Sequence, residues 1–311
     1  MTAGRAVGLL LGVVADAVLG DPRRGHPVAG FGTVAKRLEK LTYTDHKVPG
    51  VVFTGVLTGS AVAIGVLAER AGRGHPLLRV LTTATATWVA LGGKSLANEG
   101  AAMGRELDAG DVDAARKRLP NLCGRAPDAL DATALARATV ESVAENTSDA
   151  VVAPLFWGAL FGVPGLLGYR AINTLDAMVG HRSPRYRRFG WASARLDDVV
   201  NLIPARAAAA LTVAGAPVVG GSAQGAWHAW QRDASAHPSP NAGRVEAAFA
   251  GALEIRLGGR TVYSHGVEER PVLGTGRSPD AGHVTRAVEL SRVVGALSGV
   301  AAAVLALLKR R

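Results

Sequence analysis

Val51-Val-Phe-Thr-Gly-Val-Leu-Thr-Gly-Ser-Ala-Val-Ala-Ile-Gly-Val-Leu-Ala68 holds no charged residue from end to end. As an α-helix this stretch is about 27 Å long, close to the hydrocarbon thickness of a bilayer. Helical pairing also satisfies its backbone N–H and C=O groups within the segment, as lipid requires. Val293 to Leu308 is nearly as clean and stops at Lys309-Arg310-Arg311, an interfacial anchor. Comparable apolar segments run over about 3–20, 77–93, 150–168 and 199–221. The first could pass for a signal peptide, but Asp16 lies inside it. No small-residue cleavage pattern precedes Gly20-Asp21-Pro22, so it reads as an uncleaved first membrane helix.

The remaining segments are less regular. Segment 77–93 is rich in Thr and carries Arg79 near one end. Pro154, Gly162, Pro164 and Gly165 interrupt 150–168, while Asn201, Pro204 and Arg206 enter 199–221. Broken helices persist at membrane depth only where protein or a wet cavity surrounds them. At least one middle segment is therefore expected to be re-entrant or peripheral. The expected fold is all-α: a multi-pass integral membrane protein with interrupted helices and long polar loops, forming a single membrane-embedded domain over residues 1–311.

Composition agrees. Of 311 residues, 48% are apolar and 19% charged, with mean hydropathy +0.19. The 35 basic residues against 25 acidic ones leave a net charge of +10. A basic chain can face nucleic acid, anionic lipid or anionic small substrates. Nucleic acid fits worst, because aromatics total 5% and no basic stretch alternates with them. The lipid bilayer is the partner that explains grease and arginine together. The single cysteine, Cys123, excludes an intramolecular disulfide and any zinc site built from several cysteines.

Between the apolar segments, Asp108-Ala-Gly-Asp111 reads as a turn, with helical pattern over 112–119 and 128–148. Residues 222–290 mix short helical and loop signals. Glu141-Ser-Val-Ala-Glu145-Asn-Thr-Ser-Asp149 runs directly into an apolar segment. On a helix Glu141, Glu145 and Ser148 share an arc of about 60°, with Asp149 a little to one side. Nothing nearby in sequence neutralises the two glutamates except Arg137. Either magnesium carrying nucleotide phosphates sits between them, or the face is solvated and ends at Asp149.

Asn173 and Asp176 share a helix face at i,i+3, and Arg182, Arg185, Arg187 and Arg188 follow. Guanidinium forks suit phosphate and carboxylate, although an arginine belt at the lipid surface has the same composition. In Arg195-Leu-Asp-Asp198-Val-Val-Asn201, ionisable groups enter an apolar run, where they are costly. Asp198 and Asn201 make a metal-competent face, or Arg195 and Asp198 a structural pair. Asp21 with His26, and His237 with Asn241, sit in stiff Pro-rich turns. A lone loop histidine has a structural as well as a catalytic reading. Gly92-Gly-Lys-Ser95 imitates the end of a phosphate-binding loop, but Trp88 stands where its first glycine belongs.

Taken in order, six strings resemble the CobD/CbiB family of adenosylcobinamide-phosphate synthases. They are Gly20-Asp-Pro22 with His26-Pro-Val28; 141–149 with Val152-Ala-Pro-Leu-Phe-Trp157; Tyr169-Arg-Ala-Ile-Asn-Thr-Leu-Asp176 with Met178-Val-Gly180; Phe189-Gly-Trp191 with Arg195-Leu-Asp-Asp198; Asn201-Leu-Ile-Pro-Ala-Arg206; and His237-Pro-Ser-Pro-Asn-Ala-Gly243. The likeness runs from about residue 8 to 290. Glu254 stands where a glycine is common.

The resemblance implies an inner-membrane enzyme of cobalamin biosynthesis. It would join a propionate of adenosylcobyric acid to (R)-1-amino-2-propanol or its O-phosphate, consuming ATP with Mg2+. No tightly bound cofactor is evident, and other corrinoid-pathway enzymes are candidate partners. Glu141, Glu145, Asp149, Asp176 and Asp198 are then expected around magnesium, with Glu141, Glu145 and Asp198 as ligands. Arg182, Arg185 or Arg195 would hold phosphate, and His26 or His237 would accept a proton. Asp21, Asn173, Asn201 and Asn241 complete the expected substrate contacts. A membrane prenyl- or phosphatidyl-type transferase, and a corrinoid transporter or pathway scaffold, are the competing classes. The transferase normally carries two Asp-rich boxes, which this chain lacks.

Because Val51–Ala68 and Val293–Leu308 are long and uncharged, the protein should sediment with membranes and need detergent. Release of the intact chain by a carbonate wash would contradict this reading.

Overall fold

The computed structural model describes residues 2–22, 25–128, 130–181, 183–263 and 266–309. The architecture is helical, with one small antiparallel hairpin. Four helical stretches among the described residues are long and apolar enough to cross a membrane: Thr2–Leu19, Lys47–Ala71, Leu202–Val219 and Ala281–Leu308. The expected segments at 77–93 and 150–168 do not reach that length. The first gives a 15-residue helix, and the second breaks at Gly162, whose φ of 70° is left-handed.

The chain forms two compact units, each assembled from separated pieces of sequence. Unit 1 comprises residues 1–92, 153–202 and 298–311. It contains α1 (Thr2–Leu19), α2 (Pro27–Thr42), α3 (Lys47–Ala71) and α4 (Pro76–Ala90), and the last turns of the C-terminal helix. Unit 2 comprises residues 93–152 and 203–297. It begins with α5 (Gly93–Asp108), α6 (Val112–Arg118) and α7 (Ala132–Thr147). The chain then returns to unit 1 for α8 (Ala153–Phe161), α9 (Val163–Leu175), α10 (Tyr186–Phe189) and α11 (Trp191–Val200). It re-enters unit 2 through α12 (Leu202–Gly215), α13 (Ala223–Asp233), α14 (Ala242–Leu253), strands β1 (Leu257–Tyr263) and β2 (Gly266–Leu273), and most of α15 (Ala281–Leu308).

Unit 1 is held by close backbone approach. Gly4, Gly8 and Gly12 recur every fourth residue on α1, so they share one face. A Cβ at Gly8 would stand 2.6 Å from the Thr83 Cβ of α4. Small residues of this kind let membrane helices meet where no hydrophobic gain separates protein from lipid. Likewise a Cβ at Gly65 of α3 would lie 2.6 Å from the Pro164 Cα of α9. Outward faces stay apolar: Val14, Val18, Val52, Ile64 and Leu67 are all exposed, as lipid contact requires. Asp16, the charge inside the first span, is instead buried.

Unit 2 has a water-protein type of core. All of α14 from Ala242 to Leu253 is buried except Arg244, and its Val245 and Phe249 share a core with Val140, Val143, Val284 and Val288. The helix ends at Glu254, whose φ of 57° is left-handed, the conformation in which glycine is favoured. The hairpin was not expected from the sequence. Its register slips between Leu257 and Gly259, where Gly258 and Gly259 have φ of 80° and 75°.

Gly8→Val should force α1 and α4 apart. The expected loss is about 1–3 kcal/mol of stability, the usual cost of overpacking, read as a lower unfolding midpoint in detergent. An unchanged midpoint would show that the two helices do not meet along this face.

Candidate functional site

Helix α7 starts at the Asp131 cap, whose carboxylate accepts from the Ala134 N–H at 2.7 Å. Three turns later Glu141 is fully engaged. One of its oxygens accepts from the Gly258 N–H at 2.6 Å. The other accepts from the Arg125 guanidinium in a buried ion pair. Gly258 can donate because the β-bulge removes it from the strand ladder. Arg137, expected to neutralise these glutamates, instead donates to the Arg260 carbonyl at 2.7 Å.

One turn beyond, Glu145 lines a cavity of about 260 Å3. Residues 122–125, Ala138, Glu141 and Ser142 form its walls with Glu246 of α14 and Arg270 of β2. Glu145 is exposed toward this space. Its pKa is raised, chiefly by desolvation on the protein side, against the pull of Arg270 and Arg125, and Glu141 adds to the rise. Glu246 is 2% exposed, and burial, Glu141 and Glu145 together hold its pKa well above the usual carboxylate range. Cys123 is half-buried on the wall, and its thiol is raised chiefly by burial.

His237 lies behind Glu246, its Nε2 3.8 Å from the carboxylate. Burial lowers its pKa, so the ring is neutral. Its Nδ1 accepts from the Ser239 N–H at 3.1 Å, which leaves the proton on Nε2. The expected proton acceptor thus presents a donor toward Glu246. Asn241, in the same turn, is buried.

Unit 1 carries a second polar cluster. Tyr169 donates to Asn201 Oδ1 at 2.9 Å, and Asn201 Nδ2 donates to Asp197 at 2.9 Å. Asn173 reaches the other Asp197 oxygen at 3.5 Å. The expected Asp198–Asn201 face is therefore corrected. Asp197 turns inward, while Asp198 forms a 3.7 Å pair with exposed Arg195. Surface pairs of that kind contribute little. Asp176 and Asp149 each lie in a π-helical turn, at 176–180 and 148–152. The wider turn departs from the 100° progression of a regular helix.

The remaining candidates have local duties. Arg185 pairs with buried Glu39 at 2.8 Å, stacks 3.9 Å over Tyr43, and shares Glu39 with the Tyr186 hydroxyl. His26 caps α2 through Nδ1, leaving Nε2 3.4 Å from Asp21. Arg182 lies outside the described residues. Among the described residues no three His, Cys, Asp or Glu side chains gather in a metal-holding group. Both Glu141 oxygens are committed, so the expected Glu141–Glu145 chelate is not what α7 presents.

The family model described as CobD/Cbib protein matches residues 9–291. The chain belongs to the CobD/CbiB family. Relatives named "Cobalamin biosynthesis protein CobD" include one from Mycobacterium tuberculosis, 58% identical over 98% of this chain and 97% of the relative. Another, from Rhodobacter capsulatus, is 40% identical over 91% and 92%. A third, from Geobacter metallireducens, is 42% identical over 90% and 89%. No solved structure matches. In this CobD/CbiB chain the strings around Glu141, Asn173, Asp197 and His237 all fall in the two polar clusters. Arg125, Glu246 and Arg270 were not anticipated. Glu246 occupies an interior position of a buried apolar helix, a signal the sequence did carry.

Arg125→Ala strands the Glu141 carboxylate in a buried site. Stability should fall by about 3–5 kcal/mol, and Arg125→Ala with Glu141→Gln should recover part of it. Chemical unfolding of the detergent-solubilised protein measures both. Equal midpoints for wild type and Arg125→Ala would remove this pair as a structural element.

Proposed function

We propose that this chain is a cell (inner) membrane enzyme of cobalamin biosynthesis that forms an amide bond at the expense of ATP. The acid is a propionate of adenosylcobyric acid, and the amine is (R)-1-amino-2-propanol or its O-phosphate. The observation that carries the reading is the family match over residues 9–291. The polar clusters supply the side-chain types that the chemistry demands.

A carboxylate does not react with an amine at neutral pH. Transfer of the γ-phosphoryl group gives an acyl phosphate and ADP; the amine then attacks the carbonyl and expels inorganic phosphate. The barrier is lowered by positioning and by electrostatic stabilisation of developing charge. Magnesium enters with the nucleotide and needs one or two protein carboxylates. Because Glu141 is engaged with Arg125 and Gly258, we assign this role to Asp176, Asp197 and Asp198 of unit 1. Asn173 and Asn201 orient Asp197.

Purified protein in lipid discs, given Mg-ATP, adenosylcobyric acid and aminopropanol phosphate, should release one ADP per amide formed. ADP release without a corrinoid amide, or an amide without ADP, would refute ligation. Asp197→Asn should lower turnover more than about tenfold, roughly 1.4 kcal/mol of transition-state stabilisation, with the loss shrinking as magnesium is raised. Wild-type turnover in this variant at low magnesium would move the nucleotide site elsewhere.

A further inference from the structure

We propose that the cavity beside Glu145 is the seat of the small amine substrate, and that it selects a zwitterion: a primary ammonium held by Glu145 and Glu246, with an anionic group a few atoms away held by Arg270. The inference rests on the ligation reading above and assigns one of its three substrates to a place.

Size is the first argument. The cavity measures about 260 Å3 and opens to solvent on one side. A nucleoside triphosphate and a corrin ring are both much larger than an amino alcohol phosphate. A three-carbon amino alcohol phosphate fits whole.

Charge is the second. Arg125 and Glu141 satisfy one another within the wall. Glu145, Glu246 and Arg270 are the other carboxylate and guanidinium groups among the lining residues, and Arg270 also lies 4.0 Å from Glu268 through its Nε. Opposite charges on the walls of one small enclosure suit a ligand carrying both signs, and an ion of either sign alone would meet repulsion from one wall.

The third argument is the state of Glu246. It is 2% exposed and lines the cavity, yet it forms no hydrogen bond with any described residue, and His237 is its ionisable neighbour at 3.8 Å. A buried polar group without a partner costs stability, which a ligand donor repays. An ammonium has three donors to offer.

Equilibrium binding to the full-length protein in detergent, without ATP, tests this. The probes are 1-amino-2-propanol O-phosphate, 1-amino-2-propanol, and isopropyl phosphate, which lacks the amine. The intact zwitterion should bind at least about tenfold more tightly than either fragment. Glu145→Gln should weaken the zwitterion by a similar factor and leave isopropyl phosphate bound as well as before or better. Arg270→Gln should also weaken the zwitterion while leaving 1-amino-2-propanol bound as well as before or better, and Arg270→Lys should keep part of the affinity.

Cys123, the single cysteine, gives a readout without substitution: its alkylation should slow with the zwitterion and not with ATP. Zwitterion binding that is unchanged in Glu145→Gln and Arg270→Gln would overturn the assignment, as would protection of Cys123 by ATP alone. If those variants also keep normal turnover, the ligation reading survives and only the place of the amine is wrong. Absence of both zwitterion binding and amide formation in wild type would remove the two together.

Discussion

Unit 2 depends on one carboxylate. Glu141 accepts the Arg125 guanidinium with one oxygen and the Gly258 N–H with the other, and so ties residues 122–125 and the base of the hairpin to α7. Its side chain is 3% exposed. At that depth an ion pair is sustained only if the remaining lone pairs are met as well. The β-bulge meets that condition by releasing a backbone donor at Gly258. A Cβ there would collide with the Pro271 carbonyl, so the glycine serves both the turn and the carboxylate. With Glu141 fixed, Arg270 on the returning strand and Glu145 one turn along α7 come to line one cavity.

Unit 1 solves a different problem. Its helices meet through glycines and threonines, and its outward faces remain apolar. Polar side chains are therefore kept for the interior, where Tyr169, Asn173, Asp197 and Asn201 satisfy one another. Ionisable groups among apolar helices are costly, and their presence marks function. Asp176 opens a π turn at 176–180 in the same unit.

Helical class and the long spans were legible, because charge-free runs such as Val51–Ala68 admit no other backbone at membrane depth. The interruption near Gly162 was legible from its Gly and Pro content. The polar strings were legible as chemistry, but not their partners. Arg125 lies 16 residues from Glu141, and Arg270 and Gly258 lie more than a hundred residues away, so no local spacing reveals them. Helical phase also overlooked Asp197, because a single residue decides whether Asp197 or Asp198 bonds Asn201. The hairpin escaped because its strands carry Gly258, Gly259, Arg260, Glu268, Glu269 and Arg270, a polarity that obscures alternation.

Transfer of oxygen is the most direct measure of the chemistry. Adenosylcobyric acid labelled with 18O in the reacting propionate should deliver one labelled oxygen to inorganic phosphate in each turnover, because the acyl phosphate keeps that oxygen when the amine expels phosphate. Label appearing in AMP, or remaining wholly in the corrinoid, would contradict activation by phosphorylation.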